Sequence, residues 1–203
     1  MIDNWETNAR GRDVRLRAAS PEDADLLVRC IDMASEGLLP LIWAGYAPDG
    51  VDPMEVGKAA VLAEDGQFSH KVSYVIEADG AALGAMIAFR LPEVAPPPDP
   101  DVPEVFRAVE ALEAEASGDW FINVIAVLPE ARGLGLGAAM IAEAETQARA
   151  AGAPGLALIV AASNAGAVRF YQREGFGPSG RQPFDAREFG GEATEAILMV
   201  KVV

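Results

Sequence analysis

This sequence of 203 residues has little of several features that define common protein classes. Its single cysteine, Cys30, excludes an internal disulfide framework and leaves a cytoplasmic location as the default expectation. No apolar run approaches the roughly 20 residues that a membrane-spanning helix needs, and residues 1–12 lack the pattern of a signal peptide. With 16 Lys and Arg against 31 Asp and Glu, the net charge of −15 argues against nucleic acid and anionic membranes as partners.

Apolar residues are abundant, since 51% of the residues are hydrophobic. The chain therefore has enough apolar side chains to form a hydrophobic core. The length predicts one domain over residues 13–203, preceded by an N-terminal extension at residues 1–12. Residues 92–117 are predicted to be an insertion, with a proline-rich linker followed by a helix. The acidic charge is compatible with a cationic or amine substrate, but general solubility or a source organism with an acidic proteome is the favoured explanation. Cys30 lies in a helical apolar pattern and is predicted to be a buried, inert thiol.

Strand and helix signals alternate along the rest of the chain. The dipeptide Asp79-Gly80 joins two apolar runs and is a strong hairpin signal. Ser20-Pro21 offers an N-cap and a proline in the first helical turn. We predict helices at residues 20–35, 52–64, 104–116, 135–151 and 164–174, and strands at residues 13–18, 72–78, 81–91, 120–128, 155–161, about 176–189 and 193–202.

The most informative segment is Val-Leu-Pro-Glu-Ala-Arg-Gly-Leu-Gly-Leu-Gly at residues 127–137, between a predicted strand and a predicted helix. Glycines let backbone N–H groups approach a ligand closely, and a helix N-terminus adds unsatisfied donors and positive partial charge. Arg132 adds a full positive charge at the mouth of the turn. The segment therefore predicts a site for a phosphate or pyrophosphate group.

Two other glycine-loop chemistries fit this segment less well. A P-loop places Lys and then Ser or Thr after its last glycine, where this chain has Ala138 and Ala139. Gly133, Gly135 and Ala138 do meet the spacing of a dinucleotide-binding fingerprint. However, residues 128–132 separate the strand from the first glycine, and no acidic residue ends the next strand to hold a ribose. Dinucleotide binding is therefore the minor alternative.

The turn resembles the R/Q-x-x-G-x-G/A motif of the GNAT superfamily of N-acetyltransferases, with Arg132 at its first position. A second segment, Asn-Ala-Gly-Ala-Val-Arg-Phe-Tyr-Gln-Arg-Glu-Gly-Phe at residues 164–176, is similar to that superfamily's N-x-x-A-x-x-F-Y-x-x-x-G-F pattern. Each motif alone is moderately specific. Their occurrence in order, with one helix and one strand between them, is a strong indication, and residues 120–177 carry it.

The resemblance implies a mixed α/β (α+β) fold, with a mostly antiparallel central sheet of about six or seven strands and flanking helices. It also implies that the sheet is splayed between its fourth and fifth strands, at residues 120–128 and 155–161. Acetyl-CoA is the implied cofactor. The residues that the resemblance assigns to it are Ile125, Ala126 and Val127 along the pantetheine arm, Arg132, Gly133, Leu134, Gly135, Leu136, Gly137 and Ala138 around the pyrophosphate, and Asn164 and Tyr171 near the pantetheine and the thiol.

For catalysis, Tyr171 matches the tyrosine that protonates the coenzyme A thiolate in many members, and a phenol suits that role. Some members carry a glutamate base on the fourth strand, where this chain has Phe121. Asn123 shares that strand face by alternation and is predicted to position a water or the amine. Asp119, at the entrance of the strand, is a candidate base acting through water. His70, the only histidine, is predicted to be a surface or capping residue rather than a base.

The acceptor pocket is expected beside the first two helices, with Glu36, Trp43 and Tyr46 as candidate lining residues. The alternative for Trp43 and Tyr46 is a place in the core, and Asn164 is equally suited to cap a helix. The resulting hypothesis is an acetyl-CoA-dependent N-acyltransferase for a small-molecule or peptide amine, with direct transfer and no metal. A non-catalytic acyl-CoA-binding module is the alternative. Acylation of a hydroxyl group or of another protein is a third possibility, supported only by the range of acceptors that the superfamily uses. Dimers are common in the superfamily, so a homodimer is a further expectation.

Overall fold

A computed structural model describes residues 4–9, 12–98, 100 and 102–203 of the chain. Within these residues the strands are β1 (Asn4–Ala9), β2 (Arg12–Ala18), β3 (Ser73–Ala78), β4 (Ala81–Arg90), β5 (Trp120–Val127), β6 (Gly155–Ala161), β7 (Gly177–Asp185) and β8 (Ala193–Val202). The helices are α1 (Ala24–Ala34), α2 (Leu38–Ala44), α3 (Pro53–Leu62), α4 (Glu104–Glu115), α5 (Leu136–Ala151) and α6 (Ala165–Arg173).

The chain forms two compact units, and the single domain predicted for residues 13–203 stays a prediction. The first unit runs to Ala88 and adds Asn123–Glu143, and the second combines Phe89–Ile122 with Ala144–Val203. In the first unit, antiparallel strands follow the order β1-β2-β3-β4, with β5 beside β4. In the second, β5 begins beside β6 and the order continues β6-β8-β7. Mixed α/β structure with a mostly antiparallel sheet confirms the predicted fold class.

The hairpin of β3 and β4 positions the strand that borders β5. Asp79 and Gly80 both have positive φ, 51° and 80°, which is the type I′ turn that suits the twist of a two-residue hairpin. The register then shifts, because Ile76 pairs with Gly84 while Glu77 pairs with Ala82. Leu83 is therefore the extra residue of a β-bulge, and bulges bend a strand locally. The bend falls where β4 lies against the end of β5.

Helix α1 begins as its sequence predicts. A 3₁₀ turn over Pro21–Asp23 precedes the helix, and the Asp23 carboxylate accepts hydrogen bonds from Ser20 N–H at 2.8 Å and Ser20 Oγ at 3.0 Å. The apolar stripe of α1 is buried, including Leu27 and Cys30. Burial raises the pKa of the Cys30 thiol to about 11, so the prediction of an inert buried thiol is confirmed.

The second unit is built around β6, which pairs with β8 along its whole length. The inserted helix α4 belongs to this core, because Leu112 is fully buried with Leu91 and Phe121. The insertion is closed at its base by hydrogen bonds from Leu91 N–H to Asp119 O (2.9 Å) and from Gly118 N–H to Pro92 O (3.0 Å). A helix is thus present where one was predicted, and it is a packed element.

Three expectations need correction. Residues 4–9, assigned to an N-terminal extension, form β1 and pair with β2. The sheet order consequently includes eight strands among the described residues, where about six or seven were expected. Residues 38–44, left without an assigned element, form α2. In the described part of the chain, no helix is long and apolar enough to cross a membrane.

Candidate active site

The glycine-rich turn lies between β5 and α5, as predicted. A 3₁₀ turn at Pro129–Ala131 leads into Arg132, whose N–H donates to Pro129 O at 3.3 Å. Gly133 and Gly135 have φ of 77° and 86°, in the left-handed region that favours glycine. A Cβ added at either glycine meets no atom within 4 Å. The turn therefore leaves room for a ligand beside the two glycines.

The start of α5 turns this open space into an anion site. Its first helical hydrogen bond runs from Ala139 N–H to Gly135 O at 3.0 Å. The N–H groups of Leu136, Gly137 and Ala138 precede that bond and point out of the helix N-terminus, where the helix dipole is positive. Leu136 is buried and anchors the turn, while the Arg132 side chain is exposed. The N–H donors at the start of α5, the positive end of the helix dipole and the space beside the glycines together fit a pyrophosphate group.

The end of β5 has backbone groups that β4 does not use. Leu128 N–H donates to Leu83 O at 2.8 Å, so the backbone polar groups of Leu128 and, by alternation, Ala126 face β4. Those of Ile125 and Val127 face away from β4. The parallel ladder with β6 consists of Trp120↔Leu156 and Phe121↔Ala157, and Ile125 and Val127 lie outside it. Of the three residues predicted to bind a pantetheine arm, these two have the right backbone orientation.

Gly84 is a site residue that the sequence analysis missed. A Cβ at Gly84 would lie less than 3.0 Å from Ala126 O and 3.1 Å from Val127 Cα. Only glycine therefore allows β4 to approach β5 this closely. The available signal was an isolated glycine inside an apolar strand pattern, which indicates a bulge or a close backbone approach.

Asn123 lies on the half-buried face of β5 that also carries Ile125 and Val127. Its Nδ2 donates to Gln67 O at 3.1 Å, in the loop that connects α3 to β3. Because Nδ2 is the donor, the amide is oriented and Oδ1 is set as an acceptor. This orientation fits the predicted task of holding an amine or a water.

The two positions on and before β5 that were considered for a base, Phe121 and Asp119, both make contacts with the core or with β6. Phe121 is buried, and its ring lies 6.0 Å from that of Phe89, so it is a core residue. Asp119 accepts a hydrogen bond from the Gly155 backbone, and burial raises its pKa. It precedes the first residue of β5, whereas the glycine turn follows the last, roughly 26 Å along the strand. This placement favours a structural role for Asp119 at the starts of β5 and β6.

In the second unit, Asn164 and Tyr171 both belong to the α6 segment. Asn164 Oδ1 accepts from Ala167 N–H at 2.9 Å, which is an N-cap. Tyr171 is half-buried, with ring centroids 5.3 Å from Phe170 and 5.8 Å from Phe176. Desolvation raises the pKa of Tyr171 above its ordinary value, so the phenol keeps its proton at neutral pH. A tyrosine in this state is a proton donor.

The candidate acceptor residues have different surroundings. Tyr46 is 63% exposed, and Glu36 is exposed with a φ of 54° at the turn before α2. Trp43 is buried, because its ring packs on Gly57 of α3 so closely that a Cβ there would overlap ring atoms. Burial of Trp43 favours packing between α2 and α3 over substrate binding. Glu36 and Tyr46 stay candidates for the acceptor side.

Comparison with known proteins agrees with this geometry. No curated protein matches the sequence. An N-acetyltransferase from Staphylococcus aureus Mu50 has a TM-score of 0.64 at 13% identity, over 91% of this chain and 98% of that one. A GNAT family acetyltransferase from Listeria monocytogenes 4b F2365 has a TM-score of 0.58 at 22% identity, over 98% and 100%. Ard1 from Thermoplasma volcanium has a TM-score of 0.58 at 16% identity, over 94% and 97%. These likenesses show a shared fold.

The sequence itself carries the family assignment. The model of the Acetyltransferase (GNAT) family matches residues 41–176. That range contains β5, the glycine turn, α5, β6 and the α6 segment that carries Tyr171. With the turn and strand geometry described above, the chain belongs to the GNAT family of acetyltransferases.

Proposed function

We propose that the protein transfers an acetyl group from acetyl-CoA to an amine of a small molecule or peptide, directly, within a ternary complex. Acetyl-CoA is the acyl donor of this family and supplies the activated thioester. The observation that carries the proposal is the glycine turn before α5, where Gly133 and Gly135 have positive φ and a Cβ at either would meet no atom within 4 Å, so a ligand can approach the start of the helix closely. The acidic net charge of −15 supports a cationic acceptor.

The roles of the binding residues follow from their backbone geometry. The turn from Arg132 to Ala138 binds the pyrophosphate, with the N–H groups at the start of α5 as the main donors. Ile125 and Val127 bind the pantetheine arm like an added strand, and one of their N–H groups polarises the thioester carbonyl. Ala126 contributes less, since its backbone faces β4. Asn164, which already caps α6, contacts the pantetheine side.

The catalytic roles go to Tyr171 and Asn123. Tyr171 donates its proton to the departing thiolate, a role that its raised pKa permits at neutral pH. Asn123 Oδ1 orients the attacking amine or a water, because Nδ2 is bound to Gln67 O. Glu36 and Tyr46 contact the acceptor. The predicted homodimer has no part in these roles.

The test is calorimetric titration with acetyl-CoA, coenzyme A and NAD. We expect saturable binding of both coenzyme A species and none of NAD. Gly135→Asp should weaken that binding by about tenfold to a thousandfold, because a carboxylate beside a pyrophosphate costs about 1–4 kcal/mol at short range. Gly135→Asn is the matched control, since it has the same shape at the same positive φ without the charge. Equal affinity of the two folded variants would refute the pyrophosphate assignment.

A non-catalytic acyl-CoA-binding module is the second candidate, favoured by Phe121 at the position of the glutamate base. A panel of primary amines, including spermidine, tyramine and short peptides, separates the two functions when acetylated product is measured. Tyr171→Phe then checks the mechanism, since a catalyst should lose about 10²–10⁴ in kcat and keep its affinity for coenzyme A. Product formation that is unchanged in Tyr171→Phe would remove the proton-donor role.

A further inference from the structure

The proposed reaction needs a group that accepts a proton from the amine, and the chain contains one buried imidazole. His70 is 4% exposed, in the loop between α3 and β3. Its Nδ1 lies 2.9 Å from Val61 O. Because a carbonyl oxygen only accepts hydrogen bonds, Nδ1 carries the proton in the neutral ring and Nε2 has the basic lone pair.

The other ring nitrogen, Nε2, has no hydrogen bond to any described residue, since the bond to Val61 O is made by Nδ1. A ring that is held at one nitrogen and open at the other has the arrangement of an oriented general base.

The loop that carries His70 crosses the sheet beside Asn123. Gln67 O accepts from Asn123 Nδ2 on β5, and Ser73 opens β3, where it pairs with Ile87 of β4. Since β3 and β5 border β4 on opposite sides, about 10 Å separates them. Residues 67–73 span that gap, and His70 is the middle residue. His70 therefore lies three residues from Gln67, in the same loop that hydrogen-bonds to Asn123 of β5.

The same loop is held rigidly, which a base requires. Ser69 Oγ donates to Ala63 O, and Ser73 Oγ donates to Ser69 O at 2.8 Å. Ser69 and Ser73 are each 1% exposed. Two of the three charged residues in the loop, Lys71 and Glu64, form an exposed ion pair at 3.2 Å, and the third is Asp65. The buried serines thus fix the backbone on both sides of His70.

We propose that His70 is the general base of the acetyl transfer, an assignment that rests on the proposed function. Nε2 takes one proton from the bound ammonium group, and the neutral amine nitrogen then forms the new N–C bond while the C–S bond of the thioester breaks. The product nitrogen loses its second proton to water. The thiolate takes the proton of the Tyr171 hydroxyl. The imidazolium then releases its proton to water, and Tyr171 regains one from water. The base is supplied by a loop residue because Phe121 occupies the β5 position at which some family members carry a glutamate base.

The first test is NMR of protein labelled with ¹⁵N-histidine, in which His70 gives the only imidazole signals. In the neutral ring we expect a protonated Nδ1 and an unprotonated Nε2. Addition of the amine that the panel identifies as the best acceptor should shift the Nε2 signal more than the Nδ1 signal. A ring protonated at Nε2, or one unmoved by a saturating amine, overturns the proposal.

The second test is His70→Asn, whose side-chain amide keeps a donor for Val61 O and lacks the base. With the best acceptor we expect kcat to fall about 10²–10⁴-fold and the affinity for acetyl-CoA to be unchanged. Fluorinated analogues of that amine, which are largely neutral at pH 7, should lose much less. Added imidazole should restore part of the rate.

Ser69→Ala is the matched control, because it loosens the same loop and leaves the imidazole in place. A loss that is equal for all amines, is not rescued by imidazole and is reproduced by Ser69→Ala would mean that His70 is structural. If His70→Asn does not fold, the NMR result decides. A wild-type protein that binds acetyl-CoA but acetylates no amine refutes the proposed function, and the base assignment with it. Product from the wild type and undiminished product from His70→Asn refute the base alone.

Discussion

Gly84 offers the sharpest test of how backbone packing sets the cofactor strand. In Gly84→Ala the new methyl group would lie within 3.0 Å of Ala126 O, 3.1 Å from Val127 Cα and 3.2 Å from Ile76 Cγ2. The first two are backbone atoms, so no side-chain rotation can relieve the overlap, and β4 and β5 must separate. Overpacking of this kind costs about 1–3 kcal/mol. We expect that loss in the free energy of unfolding, measured by urea denaturation.

The same displacement should reach the binding residues. Because Ile125 and Val127 flank Ala126, a shift of the end of β5 misaligns the backbone groups that bind the pantetheine arm. We therefore expect the affinity of Gly84→Ala for coenzyme A to fall about tenfold or more, since each 1.4 kcal/mol is a factor of ten. Calorimetry under native conditions measures this, with the variant's folded state checked by circular dichroism.

The control for Gly84→Ala is Gly177→Ala in β7. A Cβ at Gly177 meets no atom within 4 Å, and its φ is outside the left-handed region, so we expect a change within about 0.5 kcal/mol. If Gly84→Ala is as stable as Gly177→Ala and binds coenzyme A as tightly as the wild type, the close approach has no energetic role. If stability falls while affinity is unchanged, the β5 backbone does not bind the pantetheine arm.

Two further predictions concern stability in the first unit. Arg17 and Ser20 hold the pKa of Asp23 at about 2, below its ordinary value of 3.8. The stabilisation is therefore complete above pH 3.8 and is lost as pH falls from 3.8 toward 2. Asp23→Asn should cost about 1–2 kcal/mol at pH 7, and the difference from wild type should vanish near pH 2 in urea titrations; a constant difference would contradict this. Gly57→Ala should cost about 1–3 kcal/mol by displacing Trp43, with a change in tryptophan fluorescence. An unchanged melting temperature would place the Trp43 ring outside the core.

Much of the fold was predictable because its signals are local. The turn at Asp79-Gly80, the cap at Ser20 and the glycine turn between β5 and α5 depend on residues next to one another in sequence. In contrast, β1 has no apolar alternation and exists by pairing with β2, which no local pattern shows. Helix α2 was missed because Pro40 interrupts its pattern, yet a proline in the first turn forfeits no helical hydrogen bond.

The same distinction between local and long-range signals applies to the candidate site. The pyrophosphate turn was predictable because glycine, strand and helix lie in one short segment, and backbone atoms do the binding. The relation of Gly84 to Ala126 joins residues far apart in sequence, so the isolated glycine could only suggest some close approach. Asp119 was placed correctly at the entrance of β5, but its hydrogen bond with the Gly155 backbone depends on the pairing of β5 with β6 and could not be seen in the sequence.

His70 illustrates why a base is harder to predict than a phosphate site. A histidine becomes a base when one ring nitrogen is held and the other is open, and this depends on a carbonyl nine residues away, Val61 O. The link between its loop and β5 depends on the hydrogen bond from Asn123 Nδ2 to Gln67 O, which joins residues far apart in sequence. From the sequence alone, a capping role and a catalytic role for His70 were therefore alternatives. The geometry makes them compatible, because the bond that caps α3 is the bond that leaves Nε2 basic.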